Sequence, residues 1–122
     1  MQEALSQGRI VWAEMADANG FRKTRPAVIV TPTNKILPGG PIHVVAVTTR
    51  IPESLPDDYV LLPWHPQGHA RTKLKQKCAA VVTWAATITD GDIHDIAGVL
   101  PGTTISLILD MIRERATPKG PD

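Results

Sequence analysis

Residues 8–32 read GRIVWAEMADANGFRKTRPAVIVTP, and the choice of fold turns on them. Gly8–Met15 sets β-branched and aromatic side chains behind a glycine, which is a strand signal. Asp17–Thr24 reads as a loop, and its Asn19-Gly20 is the strongest turn dipeptide in the chain. Pro26–Thr31 is too apolar for a strand wetted on one side, so it belongs in the interior of a sheet. Pro26 is expected at that strand's first position, where its missing N–H does least harm. The loop between the strands carries Arg22 and Lys23, with Arg25 close behind. Charge of one sign on a short loop repels itself unless an anion comes to meet it.

Working outward, His43–Thr49 and Tyr59–Pro63 read as third and fourth strands between Pro/Gly-rich loops, and Lys77–Thr89 as a fifth, centred on AAVVTWAATI. The period then changes. Ile105, Ile108, Leu109 and Ile112 recur at helical spacing within Thr103–Arg115, an amphipathic helix of about three and a half turns. Asp90–Ala97, opening on Asp-Gly-Asp, is expected to add a short helical turn. The pattern predicts a mainly β fold: a small, bent, partly open barrel of about five strands closed by a C-terminal amphipathic helix.

With 122 residues and 43% hydrophobic content, the chain fits a single domain. Its core is expected over residues 8–116, with flexible tails at 1–7 and 117–122. No apolar run reaches the ~18 residues of a membrane span, and the N-terminus lacks secretory order, so a cytoplasmic protein is expected. The single cysteine, Cys78, excludes an internal disulfide and reads as a small buried hydrophobe. The net charge of +1 hides a gradient: residues 59–89 hold Arg71, Lys73, Lys75 and Lys77 and no acid.

GRIVWAEMADANGFRKTRPAVIVTP followed by VVAVTT resembles the PemK/MazF toxins of bacterial toxin–antitoxin systems, with a looser match through KCAAVVTWAATI to about residue 115. The resemblance implies an SH3-like barrel of the CcdB/MazF type that forms a homodimer. It implies cleavage of single-stranded RNA, such as mRNA, without a metal or other cofactor, and inhibition by a cognate antitoxin. By position it assigns Arg25 and Thr48 to the scissile phosphate. The chain departs from the family at two places. Phe21–Thr24 stands where many members carry an acid, and Lys77-Cys78 where some carry Asp-Gln. One alternative is a barrel that binds nucleic acid or an antitoxin peptide without cutting.

Metal-free RNA cleavage needs a base for the ribose 2′-OH, an acid for the 5′-oxygen and donors for the phosphate oxygens. A guanidinium at Arg25 suits the donor role. His65 and His69, in WHPQGHA, are candidates for proton transfer because imidazole titrates near neutrality. As a metal pair they fail, because Pro66 and Gly68 deny them an aligning helix. Arg22, Lys23, Arg71, Lys73, Lys75 and Lys77 are the candidate phosphate contacts, and an extended RTKLKQK would turn its four bases to one face. Trp64, in a Pro-flanked loop, is the candidate base stacker. Trp12 and Trp84, within strands, are expected in the core or a dimer contact.

Overall fold

The hairpin forms, as β1 (Arg9–Ala16) and β2 (Arg22–Ile29), in a computed structural model that describes residues 5–16 and 19–116. Its register pairs Ile10 with Val28 and Ala16 with Arg22. Gly20 takes φ +82°, the left-handed conformation that glycine enters without a side-chain clash. β2 therefore starts four residues earlier than expected, with Pro26 inside it rather than at its head. Proline is accommodated there because the β2–β3 ladder begins only at Ala27, leaving β2 an edge at Pro26.

Beyond the hairpin come β3 (Ile42–Thr48), β4 (Tyr59–Leu61), β5 (Ala79–Ile88), β6 (Ile93–Val99) and helix α1 (Gly102–Ala116). All strand pairs are antiparallel, in the order β4-β5-β3-β2-β1-β6, and the sheet is open. The expectation of about five strands is corrected to six. Asp90–Asp92 does make a short helical turn, boxed by Thr89 and Asp92, but the segment after it pairs with β1.

Both faces of the central strands are buried, which explains their unbroken apolar runs. Ile10, Val28, Val45 and Val47 pack with Leu100 and Ile108 beneath α1. Val11, Ala13, Ala27, Ile29, Val44 and Ala46 fill the opposite face. Consecutive residues serve opposite cores, as the two-residue strand period requires. Cys78 belongs to the first core, where burial pushes its thiol up to about 11, so it stays protonated at neutral pH. Gln7, expected in a tail, donates from Nε2 to the Val30 carbonyl at 2.9 Å. Among the described residues no helix is long and apolar enough to cross a membrane.

The free side of β6 is occupied by the β4–β5 connection. Val99 N donates to the Arg71 carbonyl at 2.9 Å and Gly98 N to the Thr72 carbonyl at 3.2 Å. Buried Thr72 fixes that connection, donating from Oγ1 to the Pro63 carbonyl at 2.8 Å. A methyl at residue 98 would overlap the Arg71 carbonyl and the Thr72 backbone, neither of which is a flexible side-chain end. Gly98→Ala is therefore expected to destabilise the fold by on the order of 1–3 kcal/mol. Thermal unfolding followed by circular dichroism should show a clear fall in midpoint, and an unchanged midpoint would mean that the connection does not lie against β6.

Candidate active site

The β1–β2 register sets Arg25 opposite Ala13, and the β3–β5 register sets Thr48 opposite Ala79. The β2–β3 ladder ends at the Ala27–Ala46 pair, and Arg25 and Thr48 each stand two residues beyond it on their own strands. By the two-residue strand period Arg25 lies on the face of Ala27 and Thr48 on the face of Ala46, so residues 23 positions apart in sequence share one face beyond the end of the ladder.

Arg25 is half-buried, and its guanidinium carbon lies 4.9 Å from the centroid of the Trp84 ring, within cation–π range. Its Nε is buried and has no hydrogen-bond partner. Trp84 is presented by an irregularity in β5: Val45 pairs with Ala85 but Ala46 with Val81, so Val82–Trp84 have no partner on β3. Such a bulge re-aims side chains. The arrangement leaves a cation held by an aromatic face and not by a carboxylate. The Thr48 hydroxyl accepts from Arg50 N at 3.1 Å, and its own proton remains available to an acceptor.

The other candidates occupy different surroundings. Arg22 donates from Nε to Glu14 Oε1 at 2.8 Å and lies 3.6 Å from Asp92, so its charge is met within the fold. That hydrogen bond and the charge behind it hold the Glu14 carboxyl below its ordinary range. His94 Nε2 lies 3.7 Å from the same carboxylate. Lys23 is exposed on β2, opposite Met15. His65 accepts from Gln67 N at 3.2 Å through Nδ1, and His69 Nδ1 accepts from Arg71 N at 3.1 Å and Thr72 N at 3.3 Å. Both imidazoles thus brace the β4–β5 connection. Trp64, in the same connection, is 41% exposed.

Residues 71–77 form no strand, which corrects the extended reading of RTKLKQK. Lys73 adopts φ +64°, and Thr72 and Leu74 are drawn inward, leaving Arg71, Lys73, Lys75 and Lys77 exposed around a turn. On the sheet face opposite Arg25, a cleft of about 640 Å³ opens between this segment and Trp12, Pro26, Val47 and Asp95. Trp12 is 40% exposed at the wall of that cleft, so of the two places expected for it, core or dimer contact, the core is excluded.

This architecture has close counterparts among solved structures. A chain of the MazE–MazF complex from Deinococcus radiodurans superposes with a TM-score of 0.70 at 15% identity, covering 97% of this chain and 100% of that one. An endoribonuclease from a mycobacterial species gives 0.69 at 14%, covering 98% and 99%. The chain has the MazF-type fold. The Mycobacterium tuberculosis toxin MazF-mt6 gives 0.64 at 19%, covering 87% of this chain and 93% of the other. No protein-family model and no curated protein matches the sequence. The MazF-type likeness is therefore one of backbone architecture carried by a divergent sequence.

Arg25 and Thr48 were selected by position in the sequence, whereas Trp84 and Trp12 were not selected as site residues. The signal for Trp84 lies in the run of small residues after it, Ala85 and Ala86, which leaves the indole as the one large group there.

Proposed function

We propose that the chain is an endoribonuclease toxin of a toxin–antitoxin system. The observation that carries this reading is the placement of Arg25 and Thr48 on one face just beyond the Ala27–Ala46 end of the β2–β3 ladder, on a fold shared with proteins described as endoribonucleases and MazF toxins. Arg25 binds the non-bridging oxygens of the scissile phosphate through its fork of N–H donors and stabilises the charge that builds as the phosphorane forms. The Thr48 hydroxyl donates to one of these two oxygens. The ribose 2′-OH gives its proton to water and attacks the adjacent phosphorus, and the 5′-oxygen departs taking a proton from water, leaving a 2′,3′-cyclic phosphate or, after hydrolysis, a 3′-phosphate. No metal is needed for that displacement, since the nucleophile is already tethered to the reacting phosphate. The active species is a homodimer in the cytoplasm, held in check by an antitoxin peptide, as the MazE–MazF complexes suggest.

A second reading, binding of RNA or an antitoxin without cutting, draws on one observation. The strand positions flanking the pair are Ala13 and Ala79, neither of which can move a proton. Both readings meet in one experiment. Purified protein is sized by light scattering and incubated with single-stranded RNA in excess EDTA. Cleavage by a species of twice the chain mass, with cyclic or 3′-phosphate ends, is the expected result. Binding without cleavage would select the second reading, and loss of cleavage on adding EDTA would remove the metal-free mechanism.

A further inference from the structure

The cleft on the face opposite Arg25 holds a combination that fold stability does not require. Asp95, Trp12 and Pro26 are direct register partners across β6, β1 and β2, so their side chains stand in one row on one face. Across the gap stand Lys73 and Lys75, with Leu74 between them at the cleft's apolar wall. Neither lysine makes an ion pair with Asp95 or with any other acid among the described residues. Lys73 gives one hydrogen bond to the Ala70 carbonyl at 3.0 Å and keeps two further N–H donors. One Asp95 oxygen accepts from Ile96 N at 2.9 Å, and the other has no hydrogen-bond partner among the described residues. Opposite charges thus face one cleft without closing on each other, and a flat, exposed indole lies beside the acid.

We infer that this cleft binds a guanine nucleotide of the RNA, an assignment that rests on the RNA reading above. The base stacks on Trp12, a contact that any base can make. Selectivity comes from Asp95: a carboxylate accepts two parallel N–H bonds, and the Watson–Crick edge of guanine presents such a pair at N1 and N2. Adenine and cytosine each offer only an amino group beside an acceptor nitrogen, which the carboxylate repels. Lys73 and Lys75 take the phosphate. Pro26 and Arg25 are consecutive in β2, so the cleft and the cleavage residues lie on opposite faces of one strand.

The test is a titration of the ¹⁵N-labelled full chain with GMP, IMP and AMP, following the three indole N–H resonances, with that of Trp12 assigned through Trp12→Phe. The Trp12 resonance is expected to shift saturably. GMP should bind at least about tenfold more tightly than AMP, with IMP, which lacks the N2 amino group, between them. Asp95→Asn retains an oxygen for Ile96 N and should abolish the preference for GMP, weakening GMP and tightening AMP, because an amide offers adenine one donor and one acceptor. Equal affinities, the absence of a saturable Trp12 shift, or a shift that follows protein concentration and not nucleotide would each overturn the inference, the last by placing a second copy in the cleft. The titration breaks no bond. RNA cleavage without guanine selectivity would sink this inference alone, and guanine binding without cleavage would sink the nuclease reading alone.

Discussion

Arg25→Ala is expected to lower RNA cleavage by about 10²–10³-fold, the usual effect of removing one preorganised donor from a developing negative charge. The fold should survive. Arg25 makes no ion pair among the described residues, its Nε is unpartnered, and its recorded contact is the face of Trp84. Loss of that contact is worth on the order of 1 kcal/mol. Arg25→Lys should recover part of the rate, because it keeps the charge but loses the paired donors. Growth inhibition on expression should follow the same order. An alanine variant that cleaves as the parent does, with a matching melting curve, would show that the phosphate is handled elsewhere.

The three charges of the basic loop are met in different ways. Arg22 is met by Glu14 and Asp92, Arg25 by the ring of Trp84, and Lys23 is the one of the three exposed without an ion pair among the described residues. The Arg22–Glu14 pair was legible in principle. Once Asn19-Gly20 closes the hairpin and Glu14 falls opposite Thr24, Arg22 becomes the diagonal neighbour of Glu14 on the same face. The grouping of Arg25 with Thr48 was reached from the sequence only through the family resemblance, because register between β2 and β3 depends on a connection that carries no short turn signal.

The sixth strand was not legible, for a physical reason. IHDIAGV does not alternate, since its register against β1 shifts twice, and Asp-Gly-Asp before it is a turn that precedes helices as readily as strands. Gly98 was the overlooked clue: glycine inside a strand often marks the close approach of another backbone, here that of Arg71 and Thr72. Of the two places expected for Trp12, the core suggested itself because an aromatic residue among Ile10, Val11 and Ala13 looks buried, and only that one is excluded. The cleft exists only because β6 and the β4–β5 connection lie on either side of it, and neither neighbour is visible from GRIVWAEM.

Replacing a single ribose, that on the 5′ side of the scissile phosphate, by 2′-deoxyribose is expected to abolish cleavage. The 2′-OH is the nucleophile in the proposed mechanism, and a nucleophile tethered beside its target has an effective concentration of about 10⁵ M or more. Bulk water, at about 55 M, falls short of that by about 10³-fold, so a fall of at least about 10³-fold is expected. Binding should change little, because Arg25, Lys73 and Lys75 would address phosphates, which the deoxy strand retains. The deoxy oligonucleotide should therefore inhibit cleavage of the matching RNA competitively, with an affinity close to that of the substrate. Its resistance and its inhibition separate chemistry from binding in one titration. If the deoxy strand is cut at the RNA rate, water is the nucleophile and a group able to activate it must act on the phosphate. Arg25 and Thr48 would then be phosphate holders in a different reaction.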